Sequence, residues 1–456
     1  MRDIALFLFV IGSLPFVFKR PYIGVLLWAW LGYMNPHRLS YGFAYSFPFV
    51  LIVALVTLAA IFLWDGKKKF PVTPLSVVWI AFIAWVTVKV PFALNSEGAY
   101  TELDRFLKIQ LMVFATFLVM GTRERLHWLA CVIALSIGFY GIKGGAFTLL
   151  TGGKYMVWGP PNSFIEGNNE IAFALVTVVP LLWYIQLQTK NRWIKMALLG
   201  ATALCCFSII GSYSRGAFLA ISAMMFVLWL KSRKKLIVAL IGVVAAIVML
   251  SFMPQKWMDR MNTIQTYEED NSALGRINSW WAGFNVAVDK PLFAGGFDFF
   301  VEEWLGVYAP NPDEIHDAHS IYFEVLGEQG FIGLFLFLLM GLLALRTGSW
   351  ILRYTKQRED LRWASDMAAM LQVSFVGYAV GGAFLGLAYF DLPYHYMAML
   401  VLLRQVVTEQ VEQEHKRIDR TLNKGLVPRS SGTATKRRSF VRRKPTKTYE
   451  YNEGDQ

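Results

Sequence analysis

The sequence has little charge and few cysteines. Of its 456 residues, 17% are charged and only three are cysteine. Soluble domains usually carry about 25% charged residues, so an ordinary soluble domain is disfavoured. The cysteines, Cys131, Cys205 and Cys206, lie inside apolar runs. They predict buried thiols and exclude a disulfide framework or a cysteine metal site.

The motifs of several common enzyme classes are also missing. The sequence has no Walker phosphate-binding loop, no Rossmann glycine pattern and no Gly-x-Ser-x-Gly nucleophile elbow. It also has no Asp-x-Asp pair and no strong metal-ligand spacing. We therefore predict neither a cofactor nor a bound metal.

What the sequence does have is apolar surface that only a bilayer could cover. Hydrophobic residues make up 55% of the chain, the mean hydropathy is +0.43, and there are 16 tryptophans, which are typical of membrane interfaces. A span takes about 20 apolar residues. We predict an all-α polytopic fold with about 12 transmembrane helices. The candidate spans are near 4–18, 21–35, 46–64, 75–92, 105–120, 126–150, 168–188, 193–211, 216–231, 235–253, 319–346, 366–388 and 391–408.

The net charge of +12 is distributed as the positive-inside rule requires, which disfavours nucleic acid as a partner. Basic clusters recur in loops that are two spans apart, so these loops predict the cytoplasmic side. The predicted organisation has helices over 1–253 and 319–408, with one long periplasmic loop, 254–318, between them. A basic tail, 409–456, is predicted to be disordered and attracted to anionic lipid headgroups.

The long loop ends in two histidines, His316 and His319, beside Asp317. A histidine suits general-base chemistry because its pKa is near neutral pH, and a carboxylate could orient it. Two other interpretations stay open at this point. The polar residues could merely cap the next helix, with Asp317 at its N-terminus, or the histidines could bind a metal with nearby carboxylates.

Two arginines lie on the same predicted side. Arg215, at a span boundary, runs against the positive-inside trend, which favours a functional role over a snorkelling side chain. Arg276 lies in the acidic loop, and taken alone it is better explained as a solvated or salt-bridged surface arginine. Asn168 and Asn169 open an apolar helix, where they could simply act as N-caps.

Taken together, these residues form a coherent set for glycan transfer. One candidate base could activate a hydroxyl, and two arginines could bind a diphosphate, because the guanidinium stays charged and donates bidentately to phosphate oxygens. A leaving diphosphate needs stabilisation by a metal or by fixed cations, and the missing metal motifs favour the cations.

The order of these motifs resembles the bacterial O-antigen ligase and Wzy-type polymerase superfamily. The resemblance rests on DKPLFAGGFDFF (289–300) and DAHSIYFEVLGEQGFIGLFLFL (317–338), together with the motifs around Arg215, Arg276 and Asn168. It extends over roughly the middle two-thirds of the chain. Many members have His-Asn where this chain has His319-Ser320, a form similar to the exosortase-associated O-glycosylation ligases.

The resemblance implies a GT-C-like glycosyltransferase of the bacterial inner membrane with a periplasmic active site. It implies a glycan linked to undecaprenyl diphosphate as donor, lipid A–core as acceptor, and metal-independent inversion. His319 would be the base, and Arg215 and Arg276 would bind the diphosphate. His316, Asp317, Asn168 and Asn169 would orient these groups or contact the sugar.

Three other functions remain open from the sequence. A Wzy-type polymerase and a protein O-glycosylation ligase would use the same donor chemistry. A flippase or transporter is disfavoured because the polar residues cluster on one predicted side rather than along a path through the membrane.

Overall fold

A computed structural model describes residues 1–63, 66, 70–231, 235–262, 271–313 and 316–425. The basic clusters at 67–69 and 233–234, and the part of the predicted tail beyond residue 425, lie outside the described residues. Residues 1–409 form one compact unit and 410–456 a second.

The described residues form sixteen α-helices and no strand. Their bounds are α1 Arg2–Lys19, α2 Pro21–Met34, α3 Phe49–Leu63, α4 Pro74–Lys89, α5 Ser96–Val119, α6 Arg123–Leu150, α7 Asn168–Gln188, α8 Arg192–Gly211, α9 Arg215–Lys231, α10 Lys235–Ser251, α11 Gln255–Asn262, α12 Asn271–Asp289, α13 Glu302–Tyr308, α14 Ile321–Thr355, α15 Arg362–Gly381 and α16 Asp391–Gly425.

The predicted spans all coincide with helices, which confirms the all-α prediction. Six of the described helical segments are long and apolar enough to cross a membrane. They are Pro74–Phe92, Arg123–Leu150, Asn168–Gln188, Arg192–Gly211, Ile321–Thr355 and Glu359–Phe384. Three shorter apolar helices, Pro21–Met34, Phe49–Leu63 and Arg215–Leu230, accompany them. This is the character of a polytopic membrane protein, and the number of about 12 spans stays a prediction.

Helix α7 lies at the centre of the helical packing. It packs against α6, α8, α9 and α15. In its most apolar stretch 78% is buried inside the protein, compared with 28% for α14. A helix that is apolar on all sides is expected to be surrounded by others. Its first residue, Asn168, is half-buried at one end of this central helix.

The prediction of one continuous helix over 319–346 is wrong at Gly330. This glycine has φ 70° and ψ −175°, a backbone conformation that essentially only glycine adopts, and it divides α14 into two helical segments. The short first segment of α14 ends beside the earlier loop at Gly295, whose N–H donates to the Gly327 carbonyl at 2.8 Å.

The predicted span over 366–388 is placed four residues too late, because the corresponding candidate span is Glu359–Phe384 and its α-helix begins at Arg362. The α-helix ends at Gly381 and a 3₁₀ turn, Gly382–Phe384, follows it. The loop 254–318 contains the helices α11 and α12. It also contains a third helix, α13, that the sequence analysis missed.

Candidate active site

Helix α12 holds the segment that leads to His319. The Asn278 side chain exchanges two hydrogen bonds with the backbone of Asn311, at 2.8 and 2.9 Å. The next residue, Ser279, donates its hydroxyl to the His316 carbonyl at 2.5 Å. Because these side chains are consecutive on one helix, they fix where the segment runs before α14 begins.

A third anchor is the indole of Trp280. Its Nε1–H donates to the Ala318 carbonyl at 2.7 Å, and its ring stacks on Phe323 with centroids 4.9 Å apart and planes at 5°. A buried tryptophan is stable when its N–H has a partner and its ring is packed, and here both conditions hold. The backbone is therefore held on both sides of His319.

His319 itself adopts a left-handed backbone conformation, with φ 41°. Few residues other than glycine do so, and the strain persists only where the surroundings enforce it. The anchors at Ala318 and the start of α14 at Ile321 provide that enforcement. At this strained turn the chain changes direction between the loop and α14.

The His319 imidazole is half-buried beside three charged or ionisable groups. Burial lowers its pKa from the ordinary value of 6.5, the Asp317 carboxylate raises it, and Arg276 and His316 lower it further; the net direction is down. The imidazole is therefore neutral at neutral pH, which is the form that can accept a proton.

If the chain catalyses the glycan transfer that the sequence predicts, the pH dependence of that reaction should report this lowered pKa. Since His319 loses its proton below the ordinary histidine pKa, the acid limb of kcat/KM is expected below about pH 6.5. Asp317→Asn removes the group that raises the pKa, so it should move the limb to still lower pH. Profiles of kcat/KM for both proteins from about pH 4.5 to 8 would check this, and an unmoved limb in D317N would contradict it.

Arg276 reaches this site from α12, one helical turn before Ser279 and Trp280. Residues three and four apart share a helix face, so Arg276 faces the same segment as those anchors. The guanidinium is half-buried and close enough to act on the ionisation of His319. Glu170, in the first turn of α7, interacts electrostatically with both Arg276 and Asp317.

Arg215 begins α9 directly after a tightly held turn. Ser214 caps that helix, its hydroxyl oxygen accepting from the Ala217 N–H at 3.3 Å. Tyr213 has φ 61°, and its hydroxyl donates to the Gly153 carbonyl at 2.7 Å. The turn therefore sets the position of the half-buried Arg215 side chain at the start of the helix.

The N-cap interpretation of Asn168 and Asn169 is wrong. The N-cap of α7 is Gly167, and it makes no side-chain cap hydrogen bond. The Asn168 amide instead donates to the Ser212 carbonyl at 2.8 Å and so ties α7 to the turn before Arg215. Asn169 is half-buried in the first turn of α7.

Arg215 and His319 lie on two sides of the 3₁₀ turn Gly382–Phe384. A Cβ added to Gly216 would lie 2.8 Å from Phe384 Cβ, so the start of α9 rests on this turn. A Cβ added to Gly382 would lie 2.5 Å from Ile321 Cδ1, so the same turn rests on the start of α14. The structure thus brings Arg215, Arg276, Asp317 and His319 to one end of the bundle.

The capping interpretation of Asp317 is also wrong. The N-cap position of α14 is Ser320, which makes no side-chain cap bond, while Asp317 Oδ1 accepts from the Ala318 N–H at 2.7 Å. His316 is exposed and its ring lies against Gly275, where an added Cβ would be 2.0 Å from His316 Cδ2. Within the described residues, no group of three or more His, Cys, Asp or Glu side chains has a geometry that could hold a metal ion.

The sequence analysis missed buried charged residues next to this site. Glu324 accepts from the Ala388 N–H at 3.1 Å, and its carboxylate lies 3.3 Å from a Cβ built on Gly386, a position 3.7 Å from the His319 N atom. Lys89 donates to the carbonyl of Glu328, one turn further along α14. Their presence inside apolar spans was the available signal, because such charges are rare and functional.

Two cavities adjoin these residues. One, of about 330 Å³, is acidic and is lined by Asn95, Glu97, Gly98, Thr101, Glu102 and Asp298. Burial raises the pKa of Asp298, and the carboxylates of Glu102 and Asp317 raise it further. The other, of about 250 Å³, is apolar and begins at Ile321 and Tyr322, immediately after the His319 segment.

Comparison with known proteins identifies two segments of the chain. Residues 200–338 match the family model for O-antigen ligase. Over this segment, the chain is similar to the O-antigen ligase superfamily. The matched segment runs from α8 into α14 and contains Arg215, Arg276 and His319.

The second segment, residues 1–190, matches a family of unknown function (DUF5935) and contains Asn168 and Asn169. The O-antigen ligase match is narrower than the middle two-thirds of the chain over which the sequence resemblance was expected, because it begins only at residue 200. No curated protein matched the chain.

Proposed function

We propose that this protein transfers a glycan from undecaprenyl diphosphate to a hydroxyl of lipid A–core. The observation that supports this most directly is the position of His319, half-buried beside Arg276 and Asp317 at the start of α14. In this proposal the site faces the periplasm and the fold is GT-C-like with about 12 spans.

The proposed reaction is a single inverting displacement. His319 accepts the proton of the acceptor hydroxyl, whose oxygen forms a bond to the anomeric carbon of the glycan. The bond from that carbon to the diphosphate oxygen breaks, and undecaprenyl diphosphate leaves. A base contributes about 10²–10⁴-fold when it is positioned within hydrogen-bond reach of the proton.

Arg215 and Arg276 would bind the diphosphate as its charge grows. They approach from different helices, α9 and α12, so two fixed guanidinium groups could hold two phosphates without moving during the reaction. Asn168 supports the first of these by holding the turn at Ser212. Glu170 interacts electrostatically with Arg276 and could balance part of its charge.

The two cavities fit the remaining parts of such a donor. Carboxylate and amide oxygens in the acidic cavity can accept hydrogen bonds from sugar hydroxyls. The apolar cavity that begins at Ile321 offers a surface for the isoprenoid chain, which enters laterally from the bilayer.

A protein acceptor is the second candidate. It is favoured by Ser320, which follows His319 where many family members have asparagine. The Ser320 side chain is buried and its carbonyl accepts the Glu324 N–H at 2.8 Å, so this position is part of the helix start.

Reconstitution tests the proposal and separates the acceptors. Purified protein in liposomes is expected to transfer glycan from lipid-linked O-antigen to lipopolysaccharide core, and to do so undiminished in EDTA, because two arginines replace the metal. Parallel reactions contain a periplasmic protein acceptor or no acceptor. Glycan extension without core would instead indicate a polymerase, and labelling of the protein alone would indicate the second candidate. Loss of activity in EDTA that added Mg²⁺ restores would contradict the metal-independent mechanism.

A further inference from the structure

A basic cavity lies at the end of the bundle opposite to His319. Its volume is about 420 Å³, and it lies between the α1–α2 junction and the start of α6. Helix α6 has 28 residues, so it is about 40 Å long at about 1.5 Å per residue. The other end of α6 lies beside the proposed active site, where Thr148 contacts Gly211 just before the turn at Arg215.

Four basic side chains line this cavity, and only one carboxylate, Glu124, accompanies them. The four are Lys19, Arg20, Arg123 and Arg125. Lys19, Arg20 and Arg123 are exposed, so their charges are available to a ligand at the cavity mouth. A concave surface with this charge attracts phosphate, which guanidinium and ammonium groups bind through charge-assisted hydrogen bonds.

The cavity has a rigid floor. Arg125 Nη1 donates to the Val119 carbonyl at 2.7 Å, and its guanidinium lies over the Tyr22 ring at 4.6 Å from the centroid. Thr122 caps α6, its hydroxyl accepting from the Arg125 N–H at 3.3 Å. Because these contacts join α2, α5 and α6, the charges are held in place before a ligand arrives, which reduces the entropy cost of binding.

Apolar aromatic surface flanks the charged mouth. Trp128 lines the cavity and is 56% exposed, and Phe16 and Phe18, at the end of α1, are 61% and 50% exposed. A polar site bordered by exposed aromatics matches a membrane interface, where charged headgroups and acyl chains meet. A soluble anion would make no use of the apolar part.

We infer that this cavity binds the phosphate headgroup of an anionic phospholipid, with the acyl chains along Trp128 and the end of α1. The lipid would belong to the leaflet opposite to the proposed reactive site, which the positive-inside rule assigns to the cytoplasmic face. Basic pockets between membrane helices on that face bind such headgroups. The inference is independent of the glycan-transfer proposal.

The test measures binding of phosphatidylglycerol to the full-length protein in detergent, through the rise in Tm over a lipid concentration series. Phosphatidylcholine and inorganic phosphate are the comparison ligands. The wild-type protein is expected to prefer phosphatidylglycerol to phosphatidylcholine by about tenfold or more. The triple variant K19Q/R20Q/R123Q should lose about tenfold or more of this affinity.

The matched control is K190Q/R192Q/K195Q, which removes three exposed charges after α7, at the same end of the bundle but outside the cavity. It should stay within about twofold of wild type. The double variant K19Q/R20Q, which leaves the Arg123 contact with Trp363 intact, should lose part of the affinity. Equal losses in the triple variant and the control, or equal protection by inorganic phosphate, would overturn the lipid site.

Discussion

His319→Ala is expected to reduce glycan transfer by about 10²–10⁴-fold while leaving expression and the amount of folded protein unchanged. The side chain is the proposed proton acceptor, and alanine offers no group that could replace it. The backbone at this position depends on the anchors at Ala318 and on the start of α14, so the fold does not depend on the imidazole. Single-turnover transfer rates at saturating donor would measure the loss.

His316→Ala is the comparison that makes this result specific. His316 is exposed, lies only three residues earlier and contributes its carbonyl, not its ring, to the hydrogen bond with Ser279. We expect this variant to retain activity within about tenfold, since a merely orienting group costs less than the base itself. Full activity in the His319 variant, or an equal loss in both, would remove His319 as the base.

Arg215→Ala and Arg276→Ala should each weaken transfer by about 10²–10³-fold, the usual effect of removing one fixed donor to a developing negative charge. The loss should fall mainly on kcat, because the diphosphate gains charge as the anomeric bond breaks. Steady-state kinetics over a range of donor concentrations would separate this from a change in KM.

Two further variants define what the arginines contribute. Arg276→Lys keeps the charge but loses the planar, bidentate geometry, so it should recover only part of the activity. Arg192→Ala removes an exposed arginine after α7, at the end away from the site, and should leave the rate within about twofold of wild type. If donor use is unaffected by both site substitutions, the diphosphate role is wrong.

The secondary structure was predictable because apolar runs are a local property. A stretch long enough to span a bilayer must satisfy its backbone internally, so each run becomes a helix wherever its neighbours lie. That argument places α7 at 168–188 without further information, as the structure confirms.

Two features depart from the rule that each apolar run forms one continuous helix. The non-helical Gly330 lies inside an apolar run where a single glycine is otherwise tolerated in a helix, and the 3₁₀ turn at 382–384 ends α15 early. Both are settled by contacts with distant segments: Gly327 against Gly295, and Gly382 against Ile321. Periodicity over one segment carries no signal for such contacts.

The members of the candidate site were proposed from chemistry that is visible in the sequence, and their roles stay a prediction. Arg215 contradicts the charge rule for its predicted side of the membrane, and His319 follows the longest polar segment between predicted spans. The contacts of the supporting residues were not predictable in this way. Asn168 could be assigned as a cap from position alone, whereas its bond to the Ser212 carbonyl depends on the packing of α7 against α8 and α9.

The sequence by itself determined the helical, membrane-protein character, the resemblance to the O-antigen ligase superfamily, and the residue types that the proposed reaction would use. Each of these depends on composition or on short motifs. Only the tertiary structure decided that α12 holds the backbone before His319 through Ser279 and Trp280. It also decided that Glu170 interacts electrostatically with Arg276 and Asp317. These contacts join segments that are far apart in the chain. They form because buried polar groups need hydrogen-bond partners, and only the packing of the helices decides which partners are near.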